Sequence, residues 1–84
     1  MKDQEIFNRK CRNFWIEAIE QWVHNETDRK MLVRRHLDGI VLEPLSVEFN
    51  MTANNCDKRI KNAKEQLFKH VDIEKLLREI EKID

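Results

Sequence analysis

The sequence predicts an all-α protein that folds as a single small helical domain over residues 1–84. Three observations predict this class. The chain has 84 residues, which is the size of one small domain. It contains one glycine, one proline and no tyrosine, so it has few turn residues for a many-stranded sheet. Its apolar residues recur at helical spacing, while 38% of all residues are charged. We expect about five helices.

The first predicted helix runs from about Asp3 to His24. One face of it is apolar because hydrophobic residues repeat every three or four positions, at Phe7, Cys11, Phe14, Ala18 and Trp22. Trp15 and Trp22 lie on or beside this face. We therefore expect both tryptophans to pack in the core or against a partner helix.

The second predicted helix covers about Asp28 to Leu37, and Asn25 or Thr27 can cap its first turn. Its inward residues are expected to be Met31, Leu32 and Leu37, and its exposed residues Arg29, Lys30, Arg34 and Arg35. The only glycine, Gly39, follows at the position where a left-handed residue would end the helix.

A short third helix is predicted over about Leu42 to Phe49, because Pro44 is tolerated only in a first turn. Asn50 can adopt the left-handed conformation of a tight turn, Met51 fills the corner, and Thr52 caps the next helix. That fourth helix runs from about Ala53 to His70 and buries a narrow stripe made of Cys56, Ile60, Ala63 and Leu67. Together, residues 42–69 have the pattern of a helix-turn-helix, whose second helix can lie in the DNA major groove.

The face of the fourth helix opposite its buried stripe is polar and basic. Asparagine can pair bidentately with an adenine edge, and lysine can reach guanine or phosphate. From residue 27 to residue 70 there are nine Lys and Arg against six Asp and Glu, a net charge of +3, whereas residues 71–84 carry −2. We expect DNA to be read or gripped by Asn54, Asn55, Lys58, Arg59, Lys61 and Asn62. Phosphate contacts that fix the docking are expected from Thr52, Arg34 and Arg35.

A fifth helix is predicted from about Asp72 to Ile83, with Asp72 as its N-cap. Its apolar residues form a heptad-like stripe, made of Ile73, Leu76 or Leu77, Ile80 and Ile83. Because so short a helix is marginal in isolation, it needs a partner. The partner is either the first helix of the same chain or a second copy, and the residues leave both open.

The helix-turn-helix segment resembles region 4 of sigma factors, and the small phage and mobile-element transcriptional regulators that share this motif. The resemblance covers about 35 residues, and it is carried by Gly39-Ile40, Leu45-Ser46, Phe49-Asn50-Met51-Thr52, Cys56, Arg59-Ile60, Ala63 and Leu67. It implies a sequence-specific regulator that binds double-stranded DNA, from a bacterial phage or mobile element. The first and last helices are extra to region 4, which makes them candidates for a homodimer surface.

A second interpretation keeps this fold but gives it a protein partner. That partner would be RNA polymerase, a sigma factor or another regulator, or the module would be a nuclease inhibitor from a mobile element. The zero net charge of the chain, the negative Asp57 near the start of the fourth helix, and the apolar first helix favour this interpretation. An enzyme is not expected, because the sequence has no Gly-rich phosphate loop and no recognisable nucleophile or paired-carboxylate pattern.

Neither a cofactor nor a metal site is expected. Cys11 and Cys56 are far apart and the three histidines are scattered, so their spacing suits neither zinc nor a redox pair. We expect both cysteines to be buried free thiols, which fits the reducing cytoplasm. The charged N-terminus lacks the apolar region of a signal peptide, and no apolar run approaches membrane-spanning length. The sequence therefore predicts a cytoplasmic protein without a membrane partner.

Overall fold

A computed structural model of the chain describes residues 2–72 and residue 75. All regular structure in this part of the chain is helical, which confirms the all-α prediction. The elements are α1 (Lys2–Phe7), α2 (Arg12–Trp22), α3 (Glu26–Leu32), a π-helical turn that continues α3 (Val33–Leu37), α4 (Leu42–Glu48) and α5 (Ala53–Phe68). Only the start of the predicted fifth helix is among the described residues, and the rest of it lies outside them. At this start the carboxylate of Asp72 accepts a hydrogen bond from the amide of Lys75 at 2.9 Å, as an N-cap does.

The prediction of one long first helix is wrong, because the chain breaks between Phe7 and Arg12. In a continuous helix Phe7 and Trp15 would lie about 12 Å apart along the axis. Their ring centroids are instead 4.7 Å apart. The break lets α1 fold back, so that the Phe7 ring also lies 4.6 Å from the His36 ring and 5.6 Å from the Phe68 ring. In place of one continuous helix, the chain thus packs the Phe7 ring of α1 against rings from α2, the π-helical turn and α5.

The same break corrects the prediction for one cysteine. Cys11 was expected to be buried, but it directly precedes α2 at the break and is exposed. Cys56, on the inward side of α5, is buried as predicted.

One hydrophobic cluster joins helices α1 to α5. Its largest fully buried side chains are Trp15, Ile19, Val23, Met31, Leu32, Leu45, Cys56 and Leu67. The packing role predicted for Trp15 is therefore confirmed, while Trp22 is half-buried and stacks on His70 with ring centroids 3.9 Å apart. Within the described ranges, no helix combines the length and the apolar character that crossing a bilayer requires.

The π-helical turn connects α1 to the helix-turn-helix segment. It turns His36 inward, so that this side chain is only 8% exposed. The Nδ1 atom of His36 lies 3.1 Å from Oε1 of Gln4, and Nε2 of Gln4 donates to the His36 carbonyl at 3.0 Å. These polar contacts hold α1 against the C-terminal end of the α3 segment.

Caps and turns follow the predicted residues. Asn25 caps α3 by accepting a hydrogen bond from the amide of Asp28 at 3.1 Å, and Thr52 caps α5 by accepting one from Asn55 at 3.1 Å. Gly39 and Asn50 both have positive φ, at 76° and 54°. These left-handed residues let the chain reverse before α4 and again between α4 and α5.

Candidate nucleic-acid interface

α5 is the helix whose outward side the sequence assigns to DNA. Its inward side is closed, because Cys56, Ile60, Ala63 and Leu67 are buried and the helix packs against α2, α3 and α4. The four residues 49–52 join α4 to α5, and Leu45 anchors α4 in the core with no exposed surface. The order of short helix, tight turn and longer helix is the one that the sequence predicts.

The outward side of α5 carries amide and ammonium groups. The predicted DNA-contacting residues that are exposed here are Thr52, Asn54, Asn55, Lys58, Lys61 and Asn62. Asn54, Lys58 and Lys61 form one line along the helix, because residues three and four apart lie on the same face. Asp57 lies beside this line and pairs with Lys61 at 3.0 Å. The ion pair therefore offsets part of the positive charge of the line.

Arg59, also predicted to contact DNA, faces the protein instead. Its Nε atom lies 2.9 Å from a carboxylate oxygen of Asp28, in the first turn of α3. The side chains of Arg59 and Asp28 are only 36% and 14% exposed. Removing the arginine would leave a largely buried carboxylate without its cation, which is costly. Arg59 thus stabilises the position of α5 against α3.

Arg34, a predicted phosphate contact, belongs to a network of charged side chains. Its guanidinium lies 2.9 Å from Glu48 at the end of α4 and 3.1 Å from Asp38, and Arg12 lies 2.7 Å from the other oxygen of Asp38. Hydrogen bonds to Glu48, followed by those to Asp38, raise the pKa of Arg34. The hydrogen bond from Arg12, supported by Arg34, lowers the pKa of Asp38.

This network links the end of α4 to the π-helical turn and to the start of α2. Arg34 is therefore occupied by two carboxylates, and a DNA phosphate would have to compete with them. Arg35, the third predicted contact of this kind, is half-buried on the same turn. The structure thus brings together the predicted residues of α5 other than Arg59, and it places the two arginines of the π-helical turn on a separate element.

The outward side of α4 has a different chemistry. Val47 is 82% exposed, and the exposed Glu43 lies one helical turn before it on the same face. Val41, which directly precedes α4, is 59% exposed. Val47 also lines an open depression that it shares with Asn55 and the turn between the helices. An acidic and apolar surface of this kind repels phosphate, whereas it can be buried favourably against a protein.

Among residues 2–72 and 75, no group of three His, Cys, Asp or Glu side chains is placed to hold a metal ion. No family model, curated protein or solved structure matches the chain.

Sequence reasoning missed the structural roles of Arg34 and Arg59. For Arg59 a signal was present, because this residue directly precedes the buried Ile60 and must emerge at the edge of the buried stripe. No comparable signal exists for Arg34, since its partners Asp38 and Glu48 depend on how α4 folds back over the π-helical turn.

Proposed function

We propose that this chain is a sequence-specific DNA-binding transcriptional regulator of the helix-turn-helix type. The observation that carries the proposal is the outward side of α5, where Asn54, Lys58 and Lys61 are exposed in one line opposite a fully packed inward side. The major groove of B-DNA admits an α-helix, and its base edges and phosphates are complementary to amide and ammonium groups. The resemblance to sigma-factor region 4 supports the same function and suggests a phage or mobile-element regulator.

Each residue of this surface has a proposed role. Asn54, Asn55 and Asn62 offer amides to base edges, while Lys58 and Lys61 reach guanine or phosphate. Thr52 and Arg35 contact phosphates, and Arg34 and Arg59 support the surface through Glu48 and Asp28. Two copies could pair through α1 and α2, which take the place of the predicted first helix, or through the predicted last helix. Such a pair would place two α5 helices about one turn of DNA apart.

Charge reversal on α5 tests this function. The purified protein is incubated at low salt with a pool of random duplexes, and bound sequences are selected and identified. Lys58→Glu plus Lys61→Glu should abolish binding to the selected duplex, because both substitutions place negative charge against phosphates. Both side chains are exposed, and the Lys61–Asp57 surface pair that is lost contributes at most about 1 kcal/mol, so the variant should stay folded with only a small shift of its unfolding curve.

The matched control is Arg9→Glu plus Lys30→Glu, which makes the same change in net charge at exposed residues outside α5. This control should bind the selected duplex with nearly unchanged affinity. Equal losses of affinity in both variants would mean that DNA binding depends on the net charge of the protein and not on the position of the charges on α5. The absence of any enriched sequence at low salt would refute DNA binding, because phosphate attraction is strongest there.

A second candidate function is that of a protein-interaction module, and the exposed Val47 of α4 favours it. Val47 lies one helical turn after the exposed Glu43, on a face that is poorly suited to phosphate. The partner would be RNA polymerase, a sigma factor, another regulator or a nuclease that the module inhibits. In that case Val47→Asp should weaken binding of purified RNA polymerase in a pull-down assay, while Lys58→Glu plus Lys61→Glu should leave it intact.

A further inference from the structure

We infer that Asn54, and not its neighbour Asn55, reads an adenine base in the major groove. The inference rests on the proposed function and assigns sequence preference to one side chain of that surface. Both asparagines are exposed in the first turns of α5, so exposure alone does not distinguish them. The two side chains differ in the direction in which they leave the helix axis.

Asn54 lies on the side of α5 that projects furthest from the protein. At about 100° per residue, Asn54, Lys58 and Lys61 fall within about 60° of one another. This direction is roughly opposite the buried stripe that contains Cys56 and Ile60. A helix that enters the groove with this line toward the DNA brings the Asn54 amide to the base edges. The ammonium groups of Lys58 and Lys61 follow it along the helix, where they can reach guanine or phosphate.

Asn55 lies on a different side of the helix. Four residues after it comes Arg59, which turns back to the carboxylate of Asp28 on α3. Asn55 also lines the depression beneath α4, together with Ser46 and Val47. Its side chain therefore adjoins the protein body and the exposed valine, at the flank of the surface that would enter the groove.

The charge pattern sets the length of the base-reading segment. From Asn54 to Lys61 the helix rises by about 10 Å, which matches about three base pairs. The next residue on the same line is Glu65, which is exposed and negative. Because Glu65 would be repelled by phosphate, the later turns of α5 should rise out of the groove. One α5 helix should thus read about three base pairs.

Adenine is the base that suits an asparagine best. The side-chain amide offers one donor and one acceptor, and the major-groove edge of adenine offers N7 as acceptor and the N6 amino group as donor. Both hydrogen bonds form together only with adenine, since guanine presents two acceptors on this edge. Asn54 should therefore specify an adenine within the three base pairs.

A single-atom change in the DNA tests the assignment. In the duplex selected by the parent protein, each adenine is replaced in turn by 7-deazaadenine, which lacks the N7 acceptor but still pairs with thymine. Affinity is measured by fluorescence anisotropy for the parent protein, Asn54→Ala and Asn55→Ala. At one adenine position the parent protein should lose affinity by at least about fivefold, the lower end of what a bidentate base contact contributes.

The two variants decide which asparagine is responsible. Asn54→Ala should bind the natural and the modified duplex equally well, whereas Asn55→Ala should keep the loss shown by the parent protein. The inference is overturned if the parent protein is insensitive at every adenine, or if Asn55→Ala is the variant that loses the sensitivity. Both results require a duplex that has first been selected by the parent protein. If no duplex is enriched, DNA binding itself has failed, and the inference fails together with the proposed function.

Discussion

Substituting Leu45 by alanine should remove much of the stability that holds α4 against α5. Leu45 is the buried residue of α4, with 0% of its side chain exposed. The substitution removes three carbon atoms from the core, which is worth about 2.4 kcal/mol of transfer free energy. Incomplete collapse of the resulting cavity raises the expected cost to about 3 kcal/mol.

A loss of this size is large for a chain of 84 residues. Domains of this length are stable by roughly 4–13 kcal/mol, and each kcal/mol corresponds to a shift in Tm of about 4–8 °C. Leu45→Ala should therefore lower Tm by at least about 12 °C. The free energy of unfolding is measured by urea titration followed by circular dichroism, and Tm by thermal melting on the same samples.

Val47 provides a control on the same helix. It lies two residues from Leu45 but is 82% exposed, so Val47→Ala should change the free energy of unfolding by no more than about 0.5 kcal/mol. Comparable destabilisation by the two substitutions would refute the orientation of α4, and so would a cost below about 0.5 kcal/mol for Leu45→Ala.

Three further perturbations probe the cap of α5, its surface charge and the charged network. Thr52→Ala should cost about 1 kcal/mol in urea unfolding, because its hydroxyl accepts a hydrogen bond from the Asn55 amide, and an unchanged midpoint would contradict the cap. Asp57→Asn should raise affinity for a random duplex severalfold in low-salt anisotropy, because it releases Lys61 and removes a negative charge, so weaker binding would contradict the proposed surface. Asp38 has a lowered pKa in the folded protein, so its contribution to stability is complete above the unfolded value of about 3.9 and is lost as pH falls through the folded value. Asp38→Asn should thus be less stable than the parent protein at pH 7 in urea titrations, and a difference that does not shrink as pH falls below about 3.9 would contradict this linkage.

The segment from α4 to α5 could be predicted because single residues there have strong local preferences. Pro44 fixes the start of a helix, Asn50 accepts a left-handed backbone, and Thr52 caps the helix that follows. The regular spacing of Cys56, Ile60 and Ala63 then determines which side of α5 is buried. Each of these preferences depends only on residues that are close together in the sequence, so it can be predicted without knowing the tertiary structure.

The break before α2 could not be predicted in the same way. Residues 8–10 carry no proline or glycine, and the apolar repeat continues through Cys11 as it would in an unbroken helix. The break is stabilised instead by packing of the Phe7 ring on Trp15, across the break, and on His36, which lies far along the chain. Tertiary contacts of this kind override local helix preference.

The same distinction applies to the candidate site. The exposed line of Asn54, Lys58 and Lys61 follows directly from helical periodicity. The ion pairs of Arg34 and Arg59 depend on distances between separate elements, to Glu48 on α4 and to Asp28 on α3. Charge and spacing in the sequence therefore predict which residues face outward on α5, but they do not reveal which arginines are already engaged by carboxylates.

The most direct test of the proposed DNA surface is to record amide chemical-shift changes in the ¹⁵N-labelled protein while the selected duplex is added. We expect the largest changes in the first half of α5, at and around Asn54, Lys58 and Lys61, with small changes in α1 and α2. Changes concentrated on Val47 and its neighbours in α4, with α5 unaffected, would contradict DNA recognition by α5.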